Sequence, residues 1–202
     1  MNQPFQWKIF TREISQPGDE EILNALAAFP EVTIHFRKPS YSKEEYSKEL
    51  SLLSPLAISK TMLHEHHELA LDFDVKGIHY KSHQAIHPIA SKLISSKSFH
   101  DFDSLLDEGH RHHYVFISPL FSSISKEGYT SPFTSDEIKI KLIEASNKNI
   151  SVIGLGGISD TNIEQWEKWN LAGVGLLGTI WNSENPIAQF EHIWRKFSTC
   201  AD

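Results

Sequence analysis

SVIGLGGISDTNIEQWEKWNLAGVGLLG, residues 151–178, is the stretch on which the fold turns. Ser151–Gly154 reads as a buried strand, Thr161–Trp169 as a helix and Gly173–Leu177 as a second strand. Two short apolar strands separated by one helix form a parallel pair joined by a right-handed crossover. Working outward, the same unit recurs along the whole chain. Strand-like runs fall at Trp7–Thr11, Val32–Phe36, Ala57–Leu63, Gly77–Tyr80, Lys92–Ser96 and Tyr114–Ile117. Helical runs fall at Gly18–Phe29, Ser42–Leu53, Glu65–Phe73, Phe102–Asp107, Glu137–Ser146 and Phe190–Phe197. Ser42 and Glu45 have the spacing of a capping box. Eight strands alternating with helices predict an α/β protein, a short single (β/α)8 TIM barrel over residues 1–202. A doubly wound open sheet is the competing architecture. No Gly-x-Gly-x-x-Gly follows the first strand, which counts against its dinucleotide-binding form.

Composition narrows the function. With 40% hydrophobic, 22% charged and 11% aromatic residues, the 202-residue chain is globular and not disordered. A net charge of −7 without a Lys/Arg block argues against nucleic-acid binding. The longest apolar run, Val152 to Ile158, is far too short to span a bilayer. Cys200 is the single cysteine and MNQPFQWK lacks a signal-peptide pattern, so a cytoplasmic location is expected.

Three stretches carry candidate chemistry. Gly156-Gly157-Ile158 ends one strand and Gly178-Thr179 the next, in the place where barrels bind phosphate on bare backbone N–H groups. Ser118-Pro119-Leu120-Phe121-Ser122-Ser123-Ile124-Ser125-Lys126 follows the YVFI strand and supplies hydroxyls and one positive charge to an oxyanion. Strand two ends in His35-Phe36-Arg37-Lys38, where alternation puts His35 and Arg37 on one face. Arg37 there meets either a bound anion or a structural carboxylate. Two histidine groups, His64-Glu65-His66-His67 and His110-Arg111-His112-His113, read as solvated surface; neither has the His-Glu-x-x-His pattern.

In this order, the motifs resemble those of the thiamine phosphate synthase/TenI group of (β/α)8 barrels. The strand-two Gln/His-x-Arg motif is matched by His35, Phe36 and Arg37, and the family's Asn-Asp after strand three falls on His64-Glu65. Gly77-Ile78-His79-Tyr80 is similar to the Gly-Val-His-Leu strand, and Ser98-Phe99-His100 to the Ser-x-His motif. The Ser118–Lys126 loop, Gly156-Gly157-Ile158 and Leu177-Gly178 complete the resemblance.

Two activities follow from that resemblance, together with a cytoplasmic homodimer. A synthase joins a pyrimidine diphosphate to a thiazole phosphate and needs Mg2+ held by two aspartates. Here those positions read Glu65 and Gln84, and the motif lysine is replaced by Pro39. Glu65 remains the candidate Mg2+ ligand, whereas neutral Gln84 is a poor one. A TenI-type tautomerase aromatises a thiazole carboxylate phosphate by moving a proton and needs no cofactor. The resemblance assigns the proton transfer to His100, with Lys126 beside the phosphate. It assigns substrate and phosphate contacts to His35, Arg37, His64, Ser98, Ser123, Ser125, Gly157, Leu177 and Gly178. The eroded metal positions favour the tautomerase over a divergent synthase. A phosphate-binding protein without turnover is the third reading.

Overall fold

The strands of this chain turn alternate residues outward to the helices and inward to the barrel, and that alternation suits a closed sheet. In the computed structural model, which describes residues 4–84, 93–121 and 132–200, eight parallel strands pair in sequence order and β8 returns to β1. They are β1 (Gln6–Phe10), β2 (Val32–Phe36), β3 (Thr61–Leu63), β4 (Gly77–Tyr80), β5 (Ile94–Phe99), β6 (Tyr114–Ile117), β7 (Val152–Gly154) and β8 (Gly173–Leu176). The helices are α1 (Asp19–Ala27), α2 (Lys43–Leu50), α3 (Pro55–Ser59), α4 (Phe102–Glu108), α5 (Ser135–Asn147), α6 (Ile163–Lys168), α7 (Gly178–Trp181) and α8 (Pro186–Cys200).

Outward residues such as Trp7, Ile9, Ile34, Phe36, Ile78 and Val174 pack beneath Leu23, Tyr46, Leu105, Ile138, Trp166 and Phe190 of the helices. A second cluster, Phe10, Met62, Tyr114, Phe116 and Ile153, fills the barrel itself. Gly175 makes room for it: a Cβ there would lie 2.8 Å from Leu155 and 3.1 Å from Phe10. The seam between β8 and β1 is tied from outside the sheet. Trp181 Nε1 donates to the Phe10 carbonyl at 2.6 Å, and the Arg12 guanidinium donates to the Trp181 carbonyl at 3.1 Å.

Four sequence expectations are corrected. Ala57–Leu63 is not one strand, because Ser54 accepts from the Ala57 N–H and starts α3, leaving Thr61–Leu63 as strand. The helix expected over Glu65–Phe73 is a 3-10 turn, His67–Leu71, entered through His66 at φ 50°. Strand five runs to Phe99, so Ser98 lies within it. His64 is buried rather than on the solvated surface, because it continues the inward alternation of Met62.

Candidate active site

The C-terminal ends of the strands open on a cavity of about 570 Å3. One wall is backbone. Gly156 and Gly157 turn at φ 91° and 67°, and both line the cavity with Leu177, Gly178 and Thr179. Asn162 Nδ2 donates to the Gly157 carbonyl at 2.8 Å and Thr179 Oγ1 donates to that of Ile158, which fixes the two turns against each other. A Cβ on Gly156 would stand 3.0 Å from Pro119, so a side chain there drives the two loops apart. The first two residues of α7, Gly178 and Thr179, belong to this wall, while the Ile180 and Trp181 N–H groups donate to the Leu177 carbonyl at 3.1 and 3.0 Å.

The opposite wall is cationic and imidazole-rich. Arg37, Lys81, His64, His79, His83 and His100 line it, and Glu13 is the carboxylate among the described lining residues. A chain of net charge −7 thus places Arg37 and Lys81 at one mouth, each beside one carboxylate, Glu13 and Glu65. Arg37 pairs with the exposed Glu13. Of the two sequence readings of Arg37, the carboxylate partner is the one seen, and the side chain also lines the cavity.

His100 follows β5 directly and is exposed to the cavity. Its Nδ1–H donates to the Ser118 carbonyl at 3.0 Å, which leaves the lone pair on Nε2. Ser98 Oγ lies 2.9 Å from His79 Nε2, so this hydroxyl holds an imidazole at the cavity floor. Ser123, Ser125 and Lys126 lie outside the described residues.

Below the floor, the barrel interior is a polar network that the sequence motifs do not announce. His35 Nδ1 lies 2.9 Å from His64 Nε2, and His35 Nε2 lies 2.8 Å from the Tyr114 hydroxyl. His79 Nδ1 meets Ser96 Oγ at 2.8 Å, and the His64 and His79 rings stack with centroids 4.1 Å apart. Burial, reinforced by neighbouring bases such as His67, holds His79 down at about 3. His35 and His64 are likewise held well below the usual imidazole range, first by burial and then by His79. Burial raises the Tyr114 phenol. All three imidazoles are therefore neutral near pH 7. For His35 and His79 the alternation of their own strands was a sequence signal, whereas His64 continues the inward period of β3 only once that strand's register is known.

The two residues that the resemblance puts at Mg2+ positions do not form a divalent-cation site. Glu65 accepts from the Lys38 N–H at 3.0 Å through Oε2, and the Lys81 ammonium stands 3.3 Å from Oε1. Oε1 is buried and no hydrogen bond of good geometry reaches it, so the ammonium serves it by charge alone. Gln84 does not line the cavity; its Oε1 accepts from the Lys81 N–H at 2.7 Å and closes a turn. One carboxylate beside an ammonium, with an amide turned onto backbone, is the wrong donor set for Mg2+.

A profile of the family described as thiamine monophosphate synthase (TMP-TENI) matches residues 11–180. The chain belongs to this family. The thiamine-phosphate synthase of Clostridium tetani is 22% identical over 86% of this chain and 83% of its own length. That of Listeria welshimeri is 29% identical over 58% of this chain. That of Vibrio campbellii is 24% identical over 62%. The matches span 59% and 63% of the lengths of the Listeria and Vibrio proteins. The thiamine phosphate pyrophosphorylase structure from Bacteroides thetaiotaomicron superposes with a TM-score of 0.78, 25% identity and 98% of each chain covered. In this member of the thiamine monophosphate synthase family, the glycine wall and the cavity stand at the C-terminal face of the barrel, while Glu65 is held beside the Lys81 ammonium and Gln84 is turned onto backbone.

Proposed function

We propose that this chain is an enzyme of thiamine biosynthesis that moves a proton on a thiazole phosphate, as a TenI-type tautomerase working without a metal. One observation carries the reading: His100 is anchored through Nδ1–H and keeps its Nε2 lone pair on a cavity edged by a glycine wall and by Arg37. The ester phosphate lies along Gly157, Leu177 and Gly178, with Lys126, Ser123 and Ser125 beside it. Nε2 accepts a proton from one substrate carbon, and the imidazolium returns a proton to a second, leaving an aromatic ring and an unchanged enzyme. Arg37 and the α7 turn hold the anion; Leu155, Pro119 and Phe10 give the ring an apolar bed. The same proposal makes the chain a cytoplasmic homodimer with a single domain over residues 1–202.

A second reading is condensation of a pyrimidine diphosphate with a thiazole phosphate, supported by the names of the relatives. One assay separates the readings. Purified protein is given the thiazole carboxylate phosphate tautomer in chelator, and aromatisation is followed by ultraviolet absorbance. Turnover that falls about 10²–10⁴-fold in His100→Gln, with unchanged thermal unfolding, is the expected result. No rate above buffer overturns it. Thiamine phosphate formed only with Mg2+ from the two precursors establishes the synthase instead. A raised Tm with thiazole phosphate and no turnover in either assay identifies a binding protein.

A further inference from the structure

The imidazoles of His35, His64 and His79 come from three different strands, all are buried, and one ring nitrogen of each lies within 4.8 Å of the other two. We propose that these three histidines bind a divalent transition-metal ion of the Zn2+ type inside the barrel, with its remaining coordination position facing the active-site cavity. This site is separate from the carboxylate positions at Glu65 and Gln84.

Three features distinguish the cluster from a chance gathering of core histidines. The first is orientation. Tyr114 holds Nε2 of His35 and Ser96 holds Nδ1 of His79, so in each ring one nitrogen is fixed by an outer partner and the other is left to a ligand. Metal-ligating histidines are held in this way, by a second hydrogen bond that sets ring angle and tautomer. His79 Nε2 at present meets the hydroxyl of Ser98, which can rotate aside.

The second feature is proton placement. His35 Nδ1 and His64 Nε2 face each other at 2.9 Å with one proton between them. If His35 keeps its proton on Nε2, toward Tyr114, and His64 carries its own on Nδ1, both facing nitrogens present lone pairs. A cation then takes the place of the shared proton, and no imidazole has to lose one. Two nitrogens on one tetrahedral Zn2+ at about 2.0–2.1 Å stand about 3.3 Å apart, so the His35 and His64 nitrogens part by about 0.4 Å, and the His79 ring turns out of its stack on His64 to bring Nε2 to the ion.

The third feature is donor type and access. Three neutral imidazoles favour Zn2+, Co2+, Ni2+ or Cu2+ over the hard cations Mg2+ and Ca2+. His64 and His79 line the cavity, so the coordination position left by three ligands is open to water, and the proton transfer proposed for His100 does not use the ion.

The test uses the full chain, stripped with chelator and dialysed against buffered Zn2+ or Co2+. One tightly held equivalent is expected, with the intense visible bands of tetrahedral Co2+ and a raised Tm. His64→Gln and His79→Gln lose that equivalent, while His192→Gln, on the surface beside Asp160, keeps it. Ser96→Ala, which leaves all three ligands in place, weakens the affinity about 10–100-fold. No tight equivalent overturns the proposal, as does a weak octahedral Co2+ spectrum. Binding that survives in both His64→Gln and His79→Gln, with circular dichroism showing them folded, overturns it equally.

Discussion

The two sides of the barrel fill the same interior with opposite chemistry. Strands β2 to β5 send in His35, His64, His79, Ser96 and Ser98 beside Met62, whereas β6 to β8 and β1 send in Phe116, Ile153, Gly175 and Phe10 around Tyr114, with Lys8 beneath it. The apolar side is held by shape, and its members tolerate small changes in volume. The imidazole side is held by pairing: each ring nitrogen with a stated partner depends on one hydroxyl or one other ring. The difference separates what acid, truncation and buried charge will do to each side.

Acid gives the largest effect. Below pH 6.5 the unfolded chain protonates the three histidines while the folded barrel, which holds all three well below the usual imidazole range and His79 at about 3, keeps them neutral. The unfolded state then binds more protons, so stability rises with pH across this window and is lost as pH falls below 6.5. Three sites give a slope of about 4 kcal/mol per pH unit, and His79→Gln lowers it by about a third. Urea unfolding from pH 7 to 4.5 measures this; a flat profile would break the comparison.

Lys8 is the next test, at the opposite end of the pH scale. It is buried below Tyr114, with Nζ 4.1 Å from the ring centroid, and it donates to Gln6 and Thr33. Burial, then the charge of Lys76, brings it down to about 7. From about pH 7 to 10.5 the unfolded lysine holds a proton that the folded one has shed, so stability rises with pH, by up to about 5 kcal/mol. Lys8→Met therefore stabilises most at and below pH 7, and the advantage shrinks toward pH 10. Paired urea titrations read the difference; a Lys8→Met that is less stable at pH 6 contradicts the assignment.

A matched truncation sharpens the contrast. Ile153→Val removes one carbon from the apolar side and costs about 1 kcal/mol. Ser96→Ala removes one oxygen from the other side and leaves His79 Nδ1 without its partner, costing about 1–3 kcal/mol. Equal losses would mean that pairing does not rule the imidazole side. Glu13→Gln is the smallest change. It releases Arg37 from an exposed ion pair, shifts stability by less than about 1 kcal/mol and tightens inorganic phosphate by less than about tenfold. Calorimetric titration with phosphate reads it.

Sequence pattern carried the barrel further than it carried its contents. The βαβ unit at residues 151–178 is legible because glycines and a helix bound each short strand. Residues 57–63 misread because the apolar residues of α3 run into β3 with only Ser59 and Lys60 between them. The glycine wall follows from strand ends, whereas His100 rests on the resemblance, because the sequence reading ends strand five at Ser96. The burial of His64 did not, because LHEHHELAL has the polarity of a surface helix. Only the register of a three-residue strand, with Met62 inward, turns His64 into the barrel.

The seam between first and last strands bears on how such a chain is made. Gln6 pairs with Gly173, 167 positions downstream, so while the ribosome is still working β1 has a partner on one side only. Until β8 emerges, the nascent sheet has two raw edges, each a template for a neighbouring chain. Loss of the segment from Gly173 to Trp181 removes the last strand and the indole that locks Phe10. A nascent chain stopped short of this segment cannot close as a smaller barrel, and is expected to aggregate through the edge of β1.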